Sequence, residues 1–201
     1  MPGTQANAIP IIPFKLINAV EKAVAPIMRI SEKSSNTQLI GTPCFVDTTG
    51  FALERTAIDD GTKVIAGFTV EAAHNLTTSG TKKDLTYGSV QNQSSAVNIP
   101  IGAPISDGTL GFYVASQMVL FKAKTDDAHT LAQADIGGVP STSTFGLTKD
   151  GTSNYWFVDT TITAVASGAC VEIVELIDPI GTVGGLVAFR VLGIRQQFAG
   201  S

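Results

Sequence analysis

The stretch CVEIVELIDPIGTVGGLVAFRVLGI, residues 170–194, contains two apolar runs joined by a connection rich in glycine. In the second run Val187, Phe189 and Val191 share one face, and the opposite face is also mostly apolar. A strand that is apolar on nearly both faces belongs in the interior of a sandwich or barrel, away from a sheet edge. The two consecutive glycines at 184–185 permit positive φ, so a hairpin turn is predicted between the runs.

Working outward from this stretch, further apolar runs of strand length occur at Met118–Ala123 and Tyr155–Val158, each bounded by Gly, Asp, Pro, Ser or Thr. Shorter runs of the same kind extend back to Ile27. The count of about ten short strands predicts an all-β fold, a sandwich or small barrel, with an extended N-terminal arm. We therefore divide the chain into an arm, residues 1–26, and a β domain, residues 27–201.

The arm combines prolines at positions 2, 10 and 13 with Ile9, Ile11 and Ile12. Because proline cannot continue a helix or donate to a strand ladder, the segment is expected to be extended. It is interpreted either as a frayed terminus or as an arm that docks on a neighbouring subunit, which would cover its isoleucines and Phe14. The stretch from Phe14 to Met28 fits either a short helix or a strand.

The composition of the chain limits the classes of partner that it could bind. Charged residues make up 15% of the 201 residues, against about 25% in typical proteins, which favours a surface partly covered by a partner. The net charge of −4 argues against nucleic-acid binding. No segment predicts a membrane span or a signal peptide. Cys44 and Cys170 both lie in apolar runs, which predicts buried free thiols.

The residues that carry chemistry are sparse. The two histidines, His74 and His129, lie in polar segments and are interpreted as exposed loop residues, without a nucleophile partner or a second metal ligand at the usual spacing. The pairs Asp59-Asp60 and Asp126-Asp127 lack the alternating oxygen ligands of a calcium loop and read as turn residues. The sequence therefore predicts no enzymatic activity, no catalytic residue, no metal site and no cofactor.

The aromatic run Tyr155-Trp156-Phe157 is a candidate contact surface. In an alternating strand Tyr155 and Phe157 face one way and Trp156 faces the other, so we expect core packing together with one semi-exposed indole. Trp156 therefore joins Ile9, Ile11, Ile12 and Phe14 as a predicted partner-binding residue.

Several segments also resemble a known family in their order. They are Gly41-Thr42-Pro43, VIAGFTVEA (64–72), LFKAKTDDAHTLAQADIG (120–137), FGLTKDGTS (145–153) and the closing VEIVELIDPIGTVGGLVAFRVLGIRQQF (171–198). Over about residues 27 to 198 the chain resembles the capsid decoration or cement proteins of tailed bacteriophages of the podovirus type.

The resemblance implies a virion structural protein that is made in the cytoplasm of a bacterial host. Such a protein binds the outer surface of the shell and stabilises it, and its partners are the major capsid protein and neighbouring copies of itself. An acidic chain suits the outer face, away from packaged DNA. The alternative is a glycan- or receptor-binding appendage of the virion, with Tyr155, Trp156 and the polar segment 71–98 as its contact surface.

Overall fold

The computed structural model describes residues 3–17, 24–31, 38–55, 64–73, 109–137 and 144–198. Over these ranges the chain is all-β, with short 3₁₀ turns as its helical elements. The strands are β1 (Ile12–Leu16), β2 (Ile27–Ser31), β3 (Pro43–Val46), β4 (Ala52–Glu54), β5 (Gly67–Thr69), β6 (Thr109–Val114), β7 (Val119–Lys124), β8 (Thr144–Lys149), β9 (Trp156–Asp159), β10 (Val171–Leu176) and β11 (Leu186–Val191).

The large sheet has six strands in the order β1-β7-β11-β10-β8-β9, and every paired neighbour is antiparallel. It curls on itself. Thr125, just after β7, forms a parallel bridge with Val158 of β9, and the Asp126 N–H donates to the Val158 carbonyl at 3.2 Å. The end of β7 therefore meets β9, four strands away in the sheet order, while β1 remains an edge strand.

The small sheet has five antiparallel strands in the order β2-β6-β5-β3-β4. Gly67 occupies a tightly packed position in it, because a side-chain carbon at residue 67 would overlap the Tyr113 carbonyl oxygen of β6. Of the other small-sheet residues, Phe68 points into the main core, while Cys44 and Phe112 belong to a separate cluster.

The main core lies between the two sheets. Phe68 of the small sheet packs against Phe121 of β7, with ring centroids 4.5 Å apart, and against Phe189 of β11 at 5.8 Å. All three rings are fully buried. Aromatic pairs in such tilted or edge-on arrangements add about 0.5–1.5 kcal/mol beyond their buried area. These contacts join the two sheets into a single β domain.

The four predicted runs of the C-terminal half are confirmed as β7, β9, β10 and β11. The strand β11 is central in the large sheet, with Val187, Phe189 and Val191 buried, as its two apolar faces predicted. The hairpin between β10 and β11 is also confirmed, and Gly184 there has a φ of 59°. Both cysteines are free and buried.

The N-terminal segment is extended, as the sequence predicts, but its described part packs against this chain's own sheet. The N-terminal strap, residues 3–11, crosses the end of the large sheet, where the Gly3 N–H donates to Asp159 Oδ2 (3.0 Å) and the Gln5 amide to the Thr125 carbonyl (2.6 Å). The chain then continues into β1, which pairs with β7. Residues 3–17 are thus part of the β domain, because long-range pairing supplies the cover that local sequence cannot.

Candidate protein-binding groove

An apolar groove of about 340 Å³ opens beside the edge strand β1. One wall is β1 itself, and the other is formed by Val24 and Ala25, the residues that lead into β2. We call it the β1 groove; it lies where the edges of the two sheets meet, and its lining residues are Ile12, Pro13, Phe14, Lys15, Leu16, Val24, Ala25 and Tyr113.

Large apolar side chains are exposed around the β1 groove. Phe14 is 37% exposed and Val24 is 77% exposed, and Ile27, which pairs with Tyr113, is 48% exposed. Clustered exposed apolar side chains beside a concave surface are typical of a site that contacts another molecule. The groove therefore has the character of a protein contact site.

Lys15 carries the one charge among the lining residues. Its ammonium forms an ion pair with Glu175 of β10 and lies 5.5 Å from the centroid of the Phe14 ring. The Lys15 side chain is 49% exposed, so water screens this pair and the ammonium remains accessible from outside. A partner that places an acidic group beside an apolar side chain would match this rim.

The backbone of β1 is poorly suited to pairing with an additional strand. Pro13 has no N–H, and the register of β1 against β7 shifts between Pro13 and Lys15. Proline and bulges on edge strands oppose edge-to-edge pairing. A partner is therefore expected to insert side chains into the groove rather than extend the sheet.

The opposite edge of the molecule is closed. There Glu54 of β4 accepts a hydrogen bond from Trp156 Nε1 of β9 at 3.2 Å and pairs with Lys149 of β8 at 2.8 Å. These contacts tie the small sheet to the large one. Trp156 is consequently 1% exposed, so the prediction of a semi-exposed indole is wrong. Both faces of β9 are covered, which the alternation of its residues alone does not reveal.

The predicted contact residues divide into two groups. Ile12 and Phe14 line the β1 groove, and Ile9 is half-buried on the strap that precedes it. Ile11 and Trp156 are buried within the chain, at 0% and 1% exposure, and present no surface to a partner. For Ile11 the cause is the docking of the strap, whose backbone passes close to Gly41.

The sequence did not indicate Val24 and Tyr113 as groove residues. Val24 precedes Pro26 in a stretch of unclear secondary structure, and Tyr113 lies within the apolar run of β6. The two residues are distant in the chain, so no local pattern could bring them together. Val24 lies two residues before Pro26, and this neighbourhood gave no indication that its side chain is 77% exposed.

Comparisons with protein-family models, with curated proteins and with solved structures find no match to this chain. Over the ranges that the structure describes, no cluster of His, Cys, Asp and Glu has the geometry of a metal site, and no helix is long and apolar enough to span a membrane.

His129 differs from its sequence interpretation. It was expected to be an exposed loop residue, but its side chain is 21% exposed and Nε2 lies 2.8 Å from Asp135 Oδ2. The same carboxylate oxygen accepts the Ala132 N–H at 2.7 Å. The contact ties together the two ends of a turn. His74, Asp59-Asp60 and residues 74–98 of the polar segment lie outside the described residues.

Proposed function

We propose that this chain is a structural protein of a bacteriophage virion, one that binds the outer surface of the capsid shell and stabilises it. The partners in this proposal are the major capsid protein and neighbouring copies of the chain. The β1 groove is the observation that carries the proposal, because it offers an apolar, concave surface to a neighbouring subunit.

The fold and the low charge content of the chain also support a structural role on the capsid shell. Its two sheets are joined by the aromatic contacts of the main core, and only 15% of its residues are charged. A protein that bridges subunits needs an adhesive surface and a stable fold, without reactive groups. Its net charge of −4 suits a surface that faces away from packaged DNA.

The burial of Trp156 disfavours the alternative of a glycan- or receptor-binding appendage. Sugar recognition by stacking requires an exposed aromatic face, and the indole of Trp156 is instead part of the core. The exposed rings of the β1 groove region are few, with Phe14 the principal one. A glycan array probed with the isolated protein should give no binding.

Purified virions test the proposal directly. Quantitative mass spectrometry should find the chain at many copies per particle, and a density map should locate it on the outer face of the shell. The absence of the chain, or a few copies confined to the tail, would contradict the proposal.

A groove variant tests the role of the surface. Phe14→Asp should lower occupancy on the shell by about tenfold or more, since it replaces an apolar contact with a buried charge. Ala166→Asp adds the same charge at an exposed position in the turn between β9 and β10, and it should leave occupancy unchanged. Equal occupancy of both variants would remove the groove from the contact.

A further inference from the structure

We propose that the β1 groove receives the β10–β11 hairpin of a second copy of this chain, so that copies join head to tail. The inference rests on the proposed structural role, which assigns the groove to a neighbouring subunit, and it names the partner. It follows from the shape, charge and relative position of two surfaces on the same molecule.

The first surface is the hairpin tip, residues 178–185, between β10 and β11. Two branched apolar side chains project from it, Ile180 with 62% and Val183 with 60% of their surface exposed. Exposed β-branched residues at a turn contribute nothing to the core of their own chain. They are the part of this molecule most suited to enter an apolar groove.

The hairpin tip is held rigidly. The Gly181 N–H donates to the Leu131 carbonyl (2.8 Å), the Leu131 N–H to the Thr182 carbonyl (2.9 Å) and the Gly184 N–H to the His129 carbonyl (2.8 Å). These hydrogen bonds tie the tip to the adjoining loop. Little conformational entropy would then be lost when Ile180 and Val183 dock, because their backbone is already ordered.

Charge complementarity favours a second copy as the occupant. The hairpin tip is flanked by two carboxylates, Asp178 within it and the exposed Asp127 beside it, since a side chain at Gly184 would contact Asp127. Lys15 is the one charged residue that lines the β1 groove, and its half-exposed ammonium is paired with the half-exposed Glu175 beside the groove. The carboxylates of an acidic, apolar tip would share this ammonium with Glu175 while Ile180 and Val183 enter the apolar groove.

The two surfaces lie apart on the molecule. The tip follows the pairing of Leu186 with Lys124, so it extends beyond the C-terminal end of β7. The groove runs along β1, which pairs with the preceding part of β7 from Val119 onward. No residue of the tip lines the groove of its own chain. A contact between unlike surfaces on separate copies is heterologous and generates rings or open chains of subunits.

Sedimentation velocity over a range of protein concentrations tests this arrangement. The wild-type chain should form assemblies larger than dimers as concentration rises. Ile180→Lys in the tip and Val24→Glu in the groove should each weaken association by about tenfold or more, since each removes a buried apolar contact. Ala166→Lys, at an exposed position away from both surfaces, should associate like the wild type.

Mixing the two single variants distinguishes this contact from symmetric ones. The Ile180→Lys chain retains an intact groove and the Val24→Glu chain an intact tip, so the mixture should form a 1:1 dimer that cannot grow. If Val24→Glu alone still assembles, the contact is tip to tip; if Ile180→Lys alone still assembles, it is groove to groove. Either result, or a wild-type chain that stays monomeric throughout, overturns the proposal.

Solution assembly and virion location are separate measurements. Head-to-tail association of a chain that is absent from virions would contradict the virion role and leave the contact intact. A chain abundant on virions that remains monomeric in solution would contradict the contact and leave the virion role intact.

Discussion

The side chain of Gln197 pairs with the backbone of Val46 as a neighbouring strand would. Its Oε1 accepts the Val46 N–H at 2.7 Å, and its Nε2 donates to the Val46 carbonyl at 2.6 Å. Beside it, Phe198 stacks on Phe112 with centroids 6.4 Å apart. The C-terminal segment therefore fastens the small sheet, although it follows the last strand of the large one.

We predict that Gln197→Ala lowers the free energy of unfolding by about 1–3 kcal/mol, because it leaves two part-buried backbone groups of Val46 without their amide partner. Denaturant unfolding measures the change. Gln133→Ala, which truncates an exposed glutamine, is the matched control and should change stability by less than about 0.5 kcal/mol. Equal losses in both variants would show that the Gln197 amide does not act as a strand partner.

Asp159 joins the N-terminal strap to β8 and to the turn after β9. Its fully buried carboxylate accepts hydrogen bonds from the Gly3 N–H, the Thr148 hydroxyl and both the N–H and the hydroxyl of Thr161, at 2.6–3.0 Å. Asp159→Asn places an amide N–H₂ against at least one of these donors. We expect a loss of about 3 kcal/mol in unfolding free energy, together with faster hydrogen exchange at Gly3.

Asp127→Asn is the control for this effect. Asp127 is exposed and accepts the Ala6 N–H, also on the strap. Its replacement should cost less than about 1 kcal/mol, because water can take over the lost hydrogen bond. If Asp159→Asn were as mild as Asp127→Asn, the hydrogen bonds of the buried Asp159 carboxylate would not contribute measurably to stability.

Asn154 adopts a left-handed backbone conformation, with a φ of 61°, in the turn between β8 and β9. Asparagine tolerates this region better than alanine does. Asn154→Ala should therefore lower stability by about 1 kcal/mol, whereas Asn154→Gly should leave it within about 0.5 kcal/mol of the wild type. Thermal unfolding of the two variants measures the difference. Equal stability of Asn154→Ala and Asn154→Gly would show that the left-handed conformation imposes no strain on alanine.

Burial raises the pKa of the Cys44 thiol to about 12, from an ordinary value of 9.0. The thiol also donates a hydrogen bond to the Gly67 carbonyl at 3.4 Å. At pH 8 Cys44 should resist alkylation in the native protein and react on unfolding, as mass spectrometry of the labelled peptide would reveal. Rapid native labelling would contradict its burial.

The same pKa shift gives a pH dependence of stability. Because the folded state holds the proton more tightly, the contribution of Cys44 is constant below about pH 9 and is lost as the pH rises toward 12. Cys44→Ala should remove this part of the loss of stability at alkaline pH. If the free energy of unfolding fell equally steeply with rising pH in the wild type and in Cys44→Ala, the loss would not come from the Cys44 thiol.

Patterns within single segments predicted the β-structure well. The apolar runs that became β7, β9, β10 and β11 were recognisable because side-chain alternation and turn residues are local properties. The position of β11 inside the large sheet followed from its two apolar faces. Among the residues that line the groove, the sequence pointed to Ile12 and Phe14 as candidate contact residues, because apolar residues among prolines have no local partner.

The sequence by itself determined that this chain forms β-strands, where most of them lie, and that its thiols are buried and free. Tertiary structure alone decided that Ile11 and Trp156 are covered and that Val24 and Tyr113 share a groove with β1. The physical reason is the separation along the chain of the residues that interact. Strand formation depends on neighbouring residues, whereas burial depends on pairings such as Leu16 with Val119, between residues far apart in the chain.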